Sequence, residues 1–168
     1  MSRLERVTRG GVTLVGGTDG TVRFGFTERT GGASGEPYAT LNLGSHVNDD
    51  PSAVEENRRR VLSAVGAGAH VQNLVVPNQV HGDIVQVVRS ADPTELDAVR
   101  ARAAEGADAV VCVAPRVPVM LMFADCVPVI ITGPGGFAVA HSGWRGTYAG
   151  IAGKTARILA DELGVSPG

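Results

Sequence analysis

Apolar residues alternate with small or polar ones over 12–15 (VTLV) and 21–26 (TVRFGF), and the GGTDG between them supplies turn residues. These two runs predict a β-hairpin. From Thr27 to Asp50 the chain loses any period: TERTGGASGEPYATLNLGSHVNDD reads as one long polar loop. Loops of that length without structure of their own are uncommon and are usually functional or disordered. Asp50 then caps a helix that has Pro51 at its first position and is stopped by Gly66 or Gly68. On that helix Val54, Arg58, Val61 and Val65 share one stripe at i, i+4, i+7 and i+11. Arg58 is therefore expected to point inward, unlike Arg59 and Arg60. A buried guanidinium calls for an anionic partner, which is either a structural carboxylate or a bound anion.

Further along, 73–76 and 84–88 (IVQVV) read as strands on either side of PNQVHG. A short helix over 94–105 turns Leu96 and Val99 inward. Four apolar runs follow in quick succession: 109–113 (AVVCV), 117–123 (VPVMLMF), 127–132 (VPVIIT) and 137–141 (FAVAH). A last helix is expected from near Arg145 to about Leu163, with Ile151, Ile158 and Leu159 facing the core. Strands joined by short turns, with helices inserted singly, predict a mixed α/β (α+β) fold: a layered sandwich of mixed β-sheet covered by helices. No repeat, low-complexity tract or linker divides the chain, so residues 1–168 read as a single domain.

Composition changes this picture little. Hydrophobic residues make up 43% and charged residues 19%, but aromatics only 4%, so the core must come from Val, Ile, Leu and Ala. The 23 glycines point to tight turns and close approaches. Fifteen Lys+Arg against seventeen Asp+Glu leave a formal charge of −2, with no general field for nucleic acid or an anionic membrane. Cys112 and Cys126 form neither a CxxC pair nor a secreted disulfide framework. The start MSRLERVTRGGV has no signal-peptide core. The most apolar stretch, 117–131, is too short to cross a membrane and contains Asp125. A soluble, cytoplasmic protein is expected.

The candidate chemistry lies where strands stop. His81 sits on the NQVHG turn, Cys126 in ADCVP between two apolar runs, and His141 at the end of FAVAH where SGWRG begins. Strand ends and the loops after them are where α/β sites are commonly built. On the residues alone, a hydrogen-bonded structural histidine and a core cysteine are the commoner outcomes. A shared metal is the sharper alternative. In HSGWRGT, Trp144 is expected to plug the core while Gly143 and Gly146 permit a sharp turn. The same glycines could instead present N–H groups to an anion.

The strings NQVHG (78–82), ADCVPV (124–129) and AHSGWRGT (140–147), preceded by FTERTGGASGEPYATLNLGSHVNDDP (26–51) and ENRRRV (56–61), resemble the motif set of the bacterial polyphenol oxidase/laccase family. That family includes the mammalian laccase-domain-containing protein and is associated with purine nucleoside phosphorylase activity. The resemblance implies one zinc held by His81, Cys126 and His141. It also implies a substrate pocket lined by Asn42, His46, Arg58 and Asp108, with Arg29 able to meet phosphate. Two imidazoles and a thiolate suit Zn²⁺ and leave a fourth position open. Water activated there could attack a purine ring carbon and expel ammonia, the route adenosine deamination would take, with Asp108 or Asp125 as proton carrier. Phosphorolysis instead needs phosphate held by arginines, here Arg58 and Arg29, and stabilisation of the departing base. His46 is a candidate contact to phosphate or ribose. The partners implied are a purine nucleoside and phosphate.

Other functions compete. The four histidines are too few for a multicopper oxidase, although His₂Cys with Met120 or Met122 could form a single blue-copper centre. Cys126 with His81 or His141 could be a cysteine nucleophile of hydrolase type. Members of the family run on past the position of Gly168, so an inactive, shortened metal-binding module is a further alternative. An open sheet edge would invite a second copy, making a homodimer one expectation.

Overall fold

A computed structural model describes residues 3–166. The backbone packs as two compact units divided between Val71 and Gln72.

In the first unit β1 (Glu5–Arg9), β2 (Val12–Asp19) and β3 (Val22–Thr27) form an antiparallel sheet in that order. The hairpin forms as expected, but its turn lies later. GGTD belongs to β2, and the chain reverses at Gly20, where φ is +57°. Gly16 is needed inside the strand, because a Cβ there would lie 2.3 Å from the Phe24 carbonyl oxygen. β1 has no apolar face of its own and takes its extended form from its pairing with β2, Thr8 opposite Thr13.

Helix α1 (Pro51–Ala64) starts on the Asp50 side chain, which accepts from Ser52 N–H at 2.9 Å. It ends before Gly66, at φ +80°. Val54 and Val61 are buried as the stripe requires. The stripe also contains a residue with no apolar signal: Asn57, fully buried. Its Oδ1 accepts from Ala33 N–H at 2.6 Å, and its Nδ2 donates to Ser34 Oγ at 2.8 Å and Asn42 O at 2.8 Å. The long loop is thus an ordered structure hung on one amide.

In the second unit the sheet order is β4-β5-β7-β6. β4 (Val85–Val88) runs parallel to β5 (Ala109–Cys112), joined through α2 (Pro93–Glu105). β7 (Gly136–Ser142) is antiparallel to both β5 and β6 (Val127–Gly133). Every residue of β5 is buried, because both faces of the sheet are covered. Val110 and Cys112 pack with Leu96 and Val99 of α2. Val111 and Ala138 pack with Leu159, and Ala109 and Ala140 with Ile151, of α4 (Ile151–Leu163). This is the layered, mixed sheet with helical cover that the pattern predicts.

Two expectations fail. The runs at 73–76 and 117–123 are not strands; they touch through a single bridge, Val75 to Val119. Pro77 and Pro118 deprive them of ladder donors, and Val75 is apolar because it is buried, at 0% exposure. The last helix is split: α3 (Trp144–Tyr148) ends before Gly150, which adopts φ +73°, and α4 begins afresh. Among the described residues no helix is long and apolar enough to cross a membrane.

Candidate metal centre

His141 is the penultimate residue of β7, and its neighbour Ala140 pairs with Ala109 of β5. That register places His141 beside Asp108, the residue before β5: His141 N–H donates to the Asp108 carbonyl at 2.7 Å. The side chains meet as well, with His141 Nδ1 2.7 Å from Asp108 Oδ1. Asp108 is 0% exposed, so its carboxylate needs hydrogen-bond donors in place of water. Besides His141 it receives three consecutive backbone N–H groups: Val80 at 3.2 Å, His81 at 3.0 Å and Gly82 at 2.7 Å.

This ring of donors shapes the turn that carries His81, whose φ is +60°, a left-handed conformation uncommon outside glycine. Gln79 ties the same turn to the segment before Cys126. Its Nε2 donates to Met122 O at 2.7 Å, and its Oε1 accepts from Met122 N–H at 2.8 Å. Gly143 completes the close approach, since a Cβ there would lie 2.7 Å from His81 Cδ2. Gly146 does the same against the Gly82 carbonyl, also at 2.7 Å.

His81, Cys126 and His141 thereby converge, with one ligand atom from each lying within 4.8 Å of the others. The imidazoles meet edge to face, their centroids 4.8 Å apart. His81 is exposed, Cys126 half-buried and His141 buried, so the cluster opens on one side. The Cys126 thiol is pushed up by burial first, then by the neighbouring Asp125 and more distant Asp108 carboxylates. An acceptor carboxylate on His141 Nδ1 leaves its Nε2 as the free lone pair, the arrangement that metal-ligating histidines adopt. Two nitrogens and a sulfur, close together and open to one side, fit a tetrahedral ion with one vacant position.

The other sequence-derived candidates divide between the units. Asp125 is exposed, its Oδ1 3.7 Å from Cys126 Sγ. In the first unit, Asn42 and Arg58 both hold the 42–44 segment. Asn42 Oδ1 accepts from Gly44 N–H at 3.0 Å, and its Nδ2 donates to Asp49 Oδ2 at 2.9 Å. Arg58 is half-buried and gives Nε and Nη2 to the Leu43 carbonyl at 2.9 and 2.7 Å. Its inward partner is thus a neutral carbonyl where an anion was expected, and burial lowers the guanidinium pKa. His46 and Arg29 are exposed. Trp144 is not a core plug: it is 73% exposed, with the Arg145 guanidinium 5.0 Å from its ring centre. Met120 is buried. No sequence motif marks Asn57 or Gln79 for the bonds they make. The one available signal was an amide set among apolar or motif residues.

Comparison with known proteins gives a consistent picture. A purine nucleoside phosphorylase from Corynebacterium glutamicum is 39% identical over 148 residues, covering 87% of this chain and 56% of its own. Another from Streptomyces coelicolor is 42% identical over 146 residues, covering 86% and 56%. The crystal structure of YlmD from Geobacillus stearothermophilus superposes with a TM-score of 0.70 at 31% identity, over 94% of this chain and 54% of that one. That of the hypothetical protein YfiH from Bacillus licheniformis gives 0.73 at 29%, over 93% and 58%. The chain spans little more than half the length of these relatives. Residues 23–168 match the family described as multi-copper polyphenol oxidoreductase laccase, and with relatives of this identity the chain belongs to that family.

Proposed function

We propose that the chain binds one zinc ion through His81, Cys126 and His141 and contributes that centre to a purine nucleoside phosphorylase. The observation that carries the reading is the convergence of two imidazoles and a thiol on one point. The names of the relatives supply the reaction class. When bound, zinc would supply a Lewis acid at its open position. The protein's own part is to hold both rings in place and keep His141 Nε2 unprotonated. Roles for Arg29 and Arg58 toward phosphate, and for Asn42 and His46 toward the nucleoside, rest on the family resemblance.

The chemistry of the cluster also weighs against the alternatives. The chain has four histidines in all, and two of them are in this cluster, so several copper centres would lack ligands. A nucleophilic cysteine needs a lowered thiol pKa, whereas Cys126 is pushed the other way. A dication reverses that effect, because a coordinating thiol is deprotonated.

The test is metal analysis of protein purified without added metal, together with incubation with adenosine and phosphate that resolves adenine, inosine and hypoxanthine. One zinc per chain and phosphate-dependent release of adenine, both lost in His81→Ala, are expected. Inosine as the first product would shift the assignment to deamination. Stoichiometric copper with a strong visible band would overturn zinc, and zinc without turnover would leave a metal-binding module.

A further inference from the structure

The geometry points to Asp108 as the positioning residue for both histidines of the centre, not as a pocket or proton-carrying group. This rests on the metal-site reading above and deepens it. A proton carrier must reach substrate or water, but the Asp108 carboxylate has no exposed surface and its two oxygens take four donors. Oδ1 receives His141 Nδ1 and the His81 backbone N–H, so a single oxygen touches both ligand residues. Oδ2 receives the N–H groups on either side, those of Val80 and Gly82.

Two consequences follow. With donors aimed at both of its oxygens, the carboxylate acts as acceptor throughout, so it fixes the Nδ1–H tautomer of His141 and leaves Nε2 for the ion. Three converging N–H groups also hold the 80–82 turn in its left-handed conformation at His81, which aims a ligand whose side chain is itself exposed. Asp108 lies immediately before β5, whose other neighbour in the sheet is β4, so the core strand itself anchors the centre.

Asp108→Asn tests this, because the amide keeps the shape and changes the hydrogen-bond logic. Its oxygen can still accept from Val80 and Gly82. Its NH₂ then faces His141 Nδ1 and the His81 N–H, which forces the other His141 tautomer. Cobalt(II) and zinc titrations of the full chain, with circular dichroism of each metal-free protein, read the effect. A folded Asp108→Asn protein is expected to bind either metal about 10–100-fold more weakly and to show an altered cobalt d–d spectrum. Equal affinity and an unchanged spectrum would overturn the inference. If the variant does not fold, ¹⁵N-histidine NMR of the metal-free wild type decides. His141 protonated at Nδ1 supports the assignment, and a dominant Nε2–H form overturns it. A wild type that takes up neither metal would instead count against the metal-centre reading, and the same tautomer measurement still tests Asp108.

Discussion

Cys112 lies in β5 with both faces of the strand covered, and burial pushes its thiol up to about 11 from an ordinary value of 9.0. Its Sγ has only weak acceptors, the carbonyls of Ala114 and Val117 at 3.5 and 3.8 Å. The folded state thus holds its proton more tightly than the unfolded chain does. The stability this contributes is fully present below pH 9 and is lost as pH rises through about 11, a total of roughly 3 kcal/mol well above that value. Urea unfolding of the wild type and Cys112→Ala at pH 8 and pH 11 isolates the effect, since other alkaline groups cancel in the difference. The wild type's advantage is expected to shrink by about 2 kcal/mol between these two pH values, and a pH-independent difference would refute it. Cys126, by contrast, sits where an apolar run stops, as His81 and His141 do, but that position alone favoured a core cysteine, and its place in a ligand set came from motif order. Asp108 and Gln79 were not legible in these roles. Their partners lie 26 to 43 residues away in the chain, and no local pattern announces a hydrogen bond made across a fold. Trp144 was misread for the converse reason: the rule that large aromatics are buried has no term for a helix of five residues.

At the scale of elements, periodicity served best where each face of an element had one fate. α1, α2 and the β6–β7 hairpin fall close to where their patterns place them. The apolar run 117–123 did not become a strand, because apolarity reports burial, and only free N–H and C=O groups on both edges make a ladder. The loop between β3 and α1 shows the opposite case, in which order arises without apolarity. Thr40 and Leu41 N–H both donate to the Arg29 carbonyl at 2.9 Å, and Asn57 fastens the loop to α1 from inside. Asn57→Ala would strand the Ala33 N–H and the Asn42 carbonyl, while the Thr40 carbonyl keeps its bond from Ser34 N–H. Each buried group left unpaired costs about 1–3 kcal/mol, so a loss of roughly 2–4 kcal/mol is expected, with some groups rescued by water. Limited proteolysis should also cut between residues 28 and 49 faster than in the wild type. A change below about 0.5 kcal/mol with unchanged cleavage would show that the loop is held by other means.

Across the whole molecule, the layered sheet was readable because helices alternate with strands and β5 is apolar on both faces. The reaction was not readable from physics alone; it entered through motif order and through relatives about twice as long. What this chain carries by itself is the cluster of His81, Cys126 and His141, and all three lie in the unit after Val71. That makes metal binding separable from turnover. An ion that binds the folded state and not the unfolded chain stabilises it by an amount that grows with the logarithm of free metal, about 2.7 kcal/mol at one hundred times Kd. Thermal unfolding in zinc buffers of increasing free concentration should therefore climb by several degrees and keep climbing past saturation of the site. Far-UV circular dichroism follows that transition, since Trp144, the single tryptophan, is already exposed in the folded state. In Cys126→Ser the curve should flatten, because a hydroxyl does not replace a thiolate toward zinc. A wild-type midpoint indifferent to zinc, or an equal rise in the serine variant, would mean that the convergence of His81, Cys126 and His141 is packing and not a metal centre, whatever activity the longer relatives possess.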